Sequence, residues 1–332
     1  MIKKLIALAF LVTSVVIVDF YFFLNKQLGV ESEQFYDFSP GTSVSALARD
    51  LEKKNIISNR MYFSAWARIT GTARYLKAGE YHLTPEMNVL ELFSLMKQGK
   101  VRLYSLTLVE GITFKQMMQQ INASPHLNHS LKGMPVEQIM QKIGYPGEHP
   151  EGRFFPDTYR FPKGMSDIDL LKQAYQQQKQ RLEKAWDDRD QGLPLNSAYE
   201  ALILASIVER ESANVAERKL IAGVFINRLR KGMRLQTDPT VIYGMGDEYK
   251  GDIRFRDLRK DTPYNTYTRK GLPPTPIAMP GQGALDAVSH PDKTDYIYFV
   301  AMSDKSGRHI FSKTLKEHEH AVDVHQRKIK KK

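Results

Sequence analysis

The longest apolar stretch in the sequence lies at its N-terminus. Residues 5–24 read LIALAFLVTSVVIVDFYFFL, in which Asp19 is the single charged residue. At ~1.5 Å per residue, twenty helical residues span ~30 Å, the thickness of a bilayer's hydrocarbon core. The stretch ends in bulky aromatic residues, which favours an uncleaved anchor over a cleaved signal peptide, because cleavage needs small residues. We therefore predict a transmembrane anchor within residues 1–25.

The charges that flank this stretch predict its orientation. Lys3 and Lys4 precede it, whereas Lys26 closely follows it and is succeeded by Glu31 and Glu33. Because cytoplasmic flanks carry the excess of Lys and Arg, we expect a cytoplasmic N-terminus and a single span of a bacterial inner membrane. The rest of the chain would then lie in the periplasm. The lack of cysteine fits an oxidising compartment, and it excludes a disulfide scaffold, an iron–sulfur site and a cysteine nucleophile.

The segment after the anchor alternates strand-like and helix-like patterns. Residues 26–37 are polar and are predicted to form a tether. Small polar caps then occur at 41–44, 86–89 and 110–113, each followed by apolar residues at helical spacing. Strand-like runs precede the later two caps. This pattern indicates strand–cap–helix units.

A domain boundary is predicted near residue 150. Prolines concentrate in residues 126–150, which are typical of loops. The predicted fold class is α+β throughout. A small α+β module occupies residues 38–150 and a larger α+β domain occupies residues 151–332.

One predicted helix carries the candidate chemistry. Residues 199–212, YEALILASIVERES, are apolar nearly all round, which indicates a buried helix. Glu209 and Glu211 at its end lie ~200° apart around the helix axis and cannot share a site. Glu211 follows Ile207 and Val208 at helical spacing, and a carboxyl group among apolar neighbours has a raised pKa, as a general acid near neutral pH requires. A solvated cluster of charges at a helix end is the alternative.

Two segments after this helix are rich in residues suited to binding sugars. They are residues 235–246, LQTDPTVIYGMG, and residues 262–281, TPYNTYTRKGLPPTPIAMPG. Aromatic rings stack on sugars, and Asn and Thr side chains hydrogen-bond their hydroxyl groups. Long loops inside compact domains are usually functional. A rigid surface loop braced by proline is the alternative for the second segment.

Composition and charge limit the classes of partner. The chain of 332 residues is 42% hydrophobic and 26% charged, which excludes wholesale disorder. Its 48 Lys and Arg exceed 37 Asp and Glu, and the net charge of +11 favours anionic partners. The sequence contains no nucleic-acid-binding motif, so we expect no nucleic-acid partner. His318, His320 and His325 lack the H-E-x-x-H spacing, and no metal site is expected.

Several long motifs resemble the endolytic murein transglycosylase family, also called MltG or YceG-like. The resemblance covers essentially the whole chain and implies a LysM-like module ahead of a catalytic domain with a lysozyme-like active-site helix. The family's catalytic glutamate matches the second Glu of the E-x-E pair, which is Glu211. The matching stretches are EGRFFPDTYRF (151–161), ASIVERES (205–212), FINRLRKGMRLQTDPTVIYGMG (225–246), YNTY and GLPPTPIAMPG (264–281), and HPDKTDYIYFV (290–300).

The resemblance implies a lyase that cuts the MurNAc–GlcNAc β-1,4 bond within nascent peptidoglycan strands. Glu211 would act first as the acid and then as the base, and the product would end in 1,6-anhydro-MurNAc. No cofactor or metal is implied, and contact with peptidoglycan synthases follows from the resemblance alone. Substrate binding is expected at Asp157, Ser212, Gln236, Thr237, Asp238, Tyr243, Tyr264, Asn265 and Tyr267.

Three other functions compete with this prediction. A muramidase would use Glu211 together with Asp157 or Asp238 to activate water. A membrane-anchored scaffold would bind peptidoglycan and recruit wall-synthesis enzymes without cleaving it. A nucleic-acid binder is suggested by the net charge alone.

Overall fold

A computed structural model describes residues 2–211, 214–304 and 306–327. These residues form two compact units. Unit 1 comprises the residues up to Ser105 together with Arg160–Met165, and unit 2 comprises Leu106–Tyr159 and the residues from Ser166 onward. Both contain helices and short two-stranded sheets, so the predicted α+β class is confirmed.

The elements follow one another along the chain with helices predominating. The helices are α1 (Ile2–Asn25), α2 (Val44–Lys53), α3 (Arg60–Ile69), α4 (Val89–Gln98), α5 (Phe114–Ala123), α6 (Val136–Ile143), α7 (Asp167–Asp187), α8 (Ala198–Glu211), α9 (Arg218–Arg230), α10 (Asp238–Met245), α11 (Phe255–Arg259), α12 (Gln282–Ser289) and α13 (Leu315–Val322). The strands are β1 (Gln34–Phe38), β2 (Gly79–Leu83), β3 (Leu103–Thr107), β4 (Leu127–Asn128), β5 (Thr158–Pro162), β6 (Met165–Ser166), β7 (Tyr298–Ala301) and β8 (His309–Ser312). They pair as β1–β2, β3–β5, β4–β6 and β7–β8.

Helix α1 has the length and composition of a membrane-spanning helix. It covers 24 residues, and its apolar side chains are exposed along most of its length. Only its last turn enters the protein core, where Phe23 and Leu24 are buried. This arrangement is consistent with a single-pass anchor.

The predicted polar caps begin helices α2, α4 and α5. Ser43, Asn88 and Thr113 each accept a hydrogen bond from the backbone N–H three residues later. In α4 and α5 the side chain of that later residue also accepts from the N–H of the cap, which completes a capping box. Local sequence therefore sets where these helices begin.

Residues 26–37 are packed into unit 1 and do not form the predicted tether. Leu28 and Val30 are buried, and β1 begins at Gln34. Antiparallel pairing sets Gln34 opposite Leu83. Leu28 and Val30 stand two residues apart in a largely polar segment, and this pattern does not reveal a strand whose partner, β2, lies far along the chain.

Unit 2 begins earlier than the predicted boundary near residue 150. Phe114 of α5 stacks on Phe154 with ring centroids 5.4 Å apart. Tyr145, just after α6, stacks on Tyr175 of α7. These contacts place α5 and α6 in unit 2. The sequence analysis instead assigns residues 106–150 to the preceding module.

Helix α8 lies at the centre of unit 2. Its side chains are buried without interruption from Ala201 to Glu209, as the apolar pattern predicts. Helices α7, α9, α10 and α12 pack against it. Ser206 accepts a hydrogen bond from the backbone N–H of Ile277 (3.0 Å), which fastens the proline-rich loop to the helix.

Candidate active site

Glu211 is the last residue of α8 and lines a cavity in unit 2. The buried turns before it fix the end of the helix, so its side chain projects from a rigid base. It is half-buried, and the cavity has a volume of about 460 Å³. We call it the Glu211 cavity. Its walls are Glu211, Arg228, Leu235, Gln236, Asp238, Tyr267, Tyr298–Ala301, His309, Leu315, His318, Val322 and Gln326.

Thr237 holds the Glu211 carboxyl group. Its hydroxyl Oγ1 donates to Glu211 Oε2 at 2.9 Å. Thr237 is 1% exposed, and its backbone N–H donates to Thr266 Oγ1 at 3.1 Å. Because Thr237 is buried and its backbone is bound to Thr266, its hydroxyl stays directed at the Glu211 carboxyl group.

Burial gives Glu211 an unusual acidity. Loss of solvation raises its pKa from 4.5 to about 7, and the negative charge of Asp238 acts in the same direction. The hydrogen bond from Thr237 and the charge of Arg228 partly offset this rise in pKa, because both stabilise the ionised form. A carboxyl group with a pKa near 7 can both donate and accept a proton near neutral pH.

Asp238 brings a second carboxylate to the cavity. It begins α10, and Tyr267 Oη donates to its Oδ1 at 2.6 Å. Burial is the main reason that the pKa of Tyr267 is raised, so this hydroxyl keeps its proton and continues to donate. Asp238 itself is exposed to the cavity.

Arg228 shapes the loop that carries these residues. Its guanidinium is buried and donates to the backbone carbonyls of Ile297 (2.6 Å) and Leu235 (2.7 Å). A weaker contact of 3.4 Å reaches the side-chain oxygen of Gln236. Gln236 has a φ of 51°, in the left-handed region that residues other than glycine seldom adopt. The arginine therefore holds a strained turn directly before Thr237.

Two histidines also line the Glu211 cavity. His309 Nδ1 lies 2.8 Å from Glu217 Oε2, and His318 stacks on the ring of Tyr298. Burial lowers the pKa of His318, and the positive charge of Arg228 contributes to this. At neutral pH His318 is therefore uncharged.

The contacts of Glu209 indicate a structural role rather than proton donation. Arg218 Nη2 donates to its Oε1 at 2.6 Å, and the backbone N–H of Gly281 donates to its Oε2 at 3.0 Å. The carboxyl group is buried, and burial raises its pKa, while both partners act in the opposite direction. Glu209 thus joins α8 to α9 and to the start of α12, on a different face from Glu211.

Two predicted tyrosines line a second cavity of about 760 Å³ in unit 2. Tyr243 and Tyr264 meet edge to face with ring centroids 4.9 Å apart. Tyr243 Oη donates to Glu151 Oε2 at 3.0 Å. We call this the Glu151 cavity. Its lining residues are Thr113, Lys115, Gln116, Gln119, Glu151, Arg210, Pro239, Ile242, Tyr243, Gly246, Asp247, Tyr249, Tyr264 and Ile277.

The remaining predicted binding residues lie elsewhere. Asn265 is buried, and its Nδ2 donates to three backbone carbonyls, the shortest at 2.8 Å to Lys260, so it braces the loop. Asp157 is exposed and lines neither cavity; it accepts from Gln177 at 3.3 Å. Ser212 lies outside the described residues. Of the predicted residues that it describes, the structure therefore brings Gln236, Thr237, Asp238 and Tyr267 to Glu211 and leaves Asp157, Tyr243, Tyr264 and Asn265 apart from it.

Sequence reasoning missed Arg228 and Glu151. Arg228 follows Val224 and Phe225 at helical spacing, and a charge on an apolar helix face was the available signal. Glu151 opens one of the motifs quoted above and precedes two phenylalanines. Among residues 2–211, 214–304 and 306–327, no three His, Asp or Glu side chains are grouped as metal ligands would be.

A buried helix that presents a carboxyl group of raised pKa to a cavity is a candidate acid–base site. Comparison with known proteins gives the family. The model of the YceG-like family matches residues 36–324, and the chain belongs to that family.

Relatives support the assignment. An endolytic murein transglycosylase of Bacillus subtilis strain 168 is 34% identical over 301 residues, covering 85% of this chain and 82% of that protein. A protein of the same name from Streptococcus pneumoniae D39 is 27% identical over 318 residues, covering 86% of this chain and 57% of that protein. The crystal structure of a YceG-like protein from Listeria monocytogenes has 33% identity and a TM-score of 0.57, and covers 88% of this chain and 99% of its own.

Proposed function

We propose that this protein is an endolytic peptidoglycan lytic transglycosylase in which Glu211 is the acid and then the base. The observation that carries the proposal is the Glu211 carboxyl group, raised in pKa to about 7 at the end of a buried helix and facing a cavity with Asp238 and Tyr267. Relatives named as murein transglycosylases support the substrate class and the reaction.

The first step breaks the glycosidic bond. Protonated Glu211 donates its proton to the oxygen that joins MurNAc C1 to GlcNAc, and the C1–O bond breaks with its electron pair leaving on that oxygen. The sugar ring is left with oxocarbenium character at C1. The carboxylate of Asp238, which Tyr267 holds at 2.6 Å, supplies negative charge in the same cavity.

The second step forms the anhydro ring of the product. Ionised Glu211 takes the proton of the MurNAc 6-hydroxyl as its oxygen bonds to C1, which forms the 1,6-anhydro ring and restores the acid. The nucleophile belongs to the substrate, so no water is consumed and the reaction gains from proximity. Thr237 keeps the carboxyl group oriented through both steps.

A muramidase remains the second candidate because Asp238 lies in the same cavity as Glu211 and could activate water. Asp157 is a weaker partner because it lines neither cavity. Mass spectrometry of digested glycan strands separates the two reactions. We expect products ending in 1,6-anhydro-MurNAc, and products heavier by one water with a reducing end would instead assign hydrolysis.

Helix α1 would hold this reaction at a membrane. Helix α1 would cross a bacterial inner membrane once with its N-terminus in the cytoplasm, since Lys3 and Lys4 precede the apolar stretch. The catalytic unit would then act in the periplasm on newly made strands. Exposure of a C-terminal tag to protease in spheroplasts, with an N-terminal tag protected, tests this orientation.

Unit 1 would act as a LysM-like module. Its two-stranded sheet and capped helices support this comparison, and binding of glycan to it, like contact with peptidoglycan synthases, belongs to the proposal. A scaffold without catalysis is the opposing function. Strand cleavage by the purified full-length chain decides against the scaffold.

A further inference from the structure

The Glu151 cavity adjoins the Glu211 cavity but is separate from it. Two consecutive residues of α8 line different cavities: Arg210 lines the Glu151 cavity, and Glu211 lines the Glu211 cavity. At the start of α10, Pro239 lines the Glu151 cavity and Asp238 lines the Glu211 cavity. Neighbouring residues on a helix point ~100° apart, so the end of α8 and the start of α10 present side chains to both cavities. The two cavities therefore share these helix ends as a common wall.

Charges of both signs surround the Glu151 cavity. Arg210 is exposed, and its Nη1 donates to the carbonyl of Gly111 at 3.1 Å, which leaves further guanidinium donors. Lys115 Nζ lies 2.7 Å from Asp247 Oδ1 at the mouth, where both are largely exposed. A neutral sugar ring has no group that needs such charges.

The inner wall of this cavity is built from buried polar groups. Glu151 is 4% exposed, accepts from the backbone N–H of Phe114 at 2.9 Å and binds the hydroxyl of Tyr243. Burial raises the pKa of Glu151 to about 7. The proposed reaction uses none of these groups, although they are fixed close to its acid.

We propose that the Glu151 cavity binds the peptide stem carried by the MurNAc residue at the cleavage site, with Arg210 and Lys115 facing its carboxylates and Asp247 its amino group. The inference rests on the proposed function, since it names a further part of the same substrate. In peptidoglycan the ionised groups lie on the peptide attached to the lactyl ether of MurNAc and not on the sugar rings. A charged cavity beside a sugar site fits that substituent.

The test compares two substrates that differ only in the stem. Uncrosslinked glycan strands are cleaved by the full-length protein in detergent before and after an amidase has removed their peptides. We expect kcat/KM to be about tenfold or more higher for strands with stems, the size of one or two charge-assisted hydrogen bonds. In R210Q and in K115Q this ratio should fall by about tenfold and by several-fold, respectively.

Lys179 provides the matched control. It is exposed on α7, lines neither cavity, and K179Q removes one positive charge without changing the substrate ratio. A wild-type ratio near one, or an equal loss on both substrates in R210Q and K115Q, would overturn the proposal while leaving the transglycosylase function in place.

A direct titration covers the case in which neither substrate is cleaved. Free stem peptide released by the amidase is titrated into the full-length wild type and R210Q by calorimetry. Saturable binding that R210Q weakens supports the site even if the proposed reaction fails. Equal binding to both proteins, or none to the wild type, rejects it.

Discussion

Replacing the proposed acid should stabilise the protein, and the gain should depend on pH. In the wild type the pKa of Glu211 is raised from 4.5 to about 7 by burial. The folded state therefore holds this proton more tightly than the unfolded chain, so the group favours folding at low pH. That contribution is lost as pH rises from about 4.5 through about 7, and it stays lost above. A glutamine does not ionise and still accepts the hydrogen bond from Thr237.

The magnitude follows from the pKa difference. Each pKa unit corresponds to about 1.4 kcal/mol, so relative to low pH the raised pKa of Glu211 lowers the free energy of unfolding by about 3 kcal/mol at pH 8 and by about 1 kcal/mol at pH 5. The free energy of unfolding of E211Q relative to the wild type should thus be about 2 kcal/mol higher at pH 8 than at pH 5. For a unit of this size the gain amounts to roughly 5 °C in melting temperature.

The assay is thermal unfolding of the full-length chain in detergent, followed by circular dichroism at pH 5 and pH 8. E183Q is the control because Glu183 is an exposed carboxylate on α7. The melting temperature of E183Q should differ from that of the wild type by nearly the same amount at both pH values. If the difference in melting temperature between E211Q and the wild type is also the same at both, the Glu211 carboxyl group is not desolvated and the argument from burial fails.

Further predictions concern the same cavity. The wild-type cleavage rate should fall above about pH 7 as Glu211 loses its proton, and an initial-rate profile with no such fall would contradict the assigned acid. T237V removes a donor that lowers the pKa of Glu211, so this fall should move to higher pH, while T237S, which keeps the hydroxyl, should retain the wild-type profile. R228M removes the donor to two backbone carbonyls and should lower the free energy of unfolding by about 3 kcal/mol in denaturant titrations. R230M, at an exposed position of the same helix, is the control and should change the free energy of unfolding by less than about 0.5 kcal/mol.

The sequence was sufficient to predict the buried helix α8, at whose end the proposed acid lies. An apolar pattern on every face of α8 requires burial, and the change from Val208 to Glu209 and Glu211 marks where the helix reaches polar surroundings. The caps of α2, α4 and α5 were also predictable, because each depends on a side chain three residues from its partner. Local interactions of this kind depend only on residues that are close together in the sequence.

Features that depend on distant pairing were not predictable. Leu28 and Val30 are buried in unit 1, where the backbone N–H of Leu28 donates to the carbonyl of Met87 at 2.7 Å, and nothing in their own segment indicates this partner. Asn265 is of a residue type that binds sugars, but the conformation of its loop directs its amide to backbone carbonyls. The division of the predicted tyrosines between the two cavities likewise depends on contacts between residues far apart in sequence, such as Tyr243 with Glu151.

The most direct test of the account compares cleavage by E211Q and E209Q. Both variants remove a carboxyl group from the last turn of α8, but only Glu211 lines the cavity assigned to the reaction. With purified strands and the full-length protein, we predict that E211Q loses at least about 100-fold in rate while remaining folded, and that E209Q retains measurable cleavage. Cleavage by E211Q within tenfold of the wild type would contradict the account, because the proton would then have to come from another group.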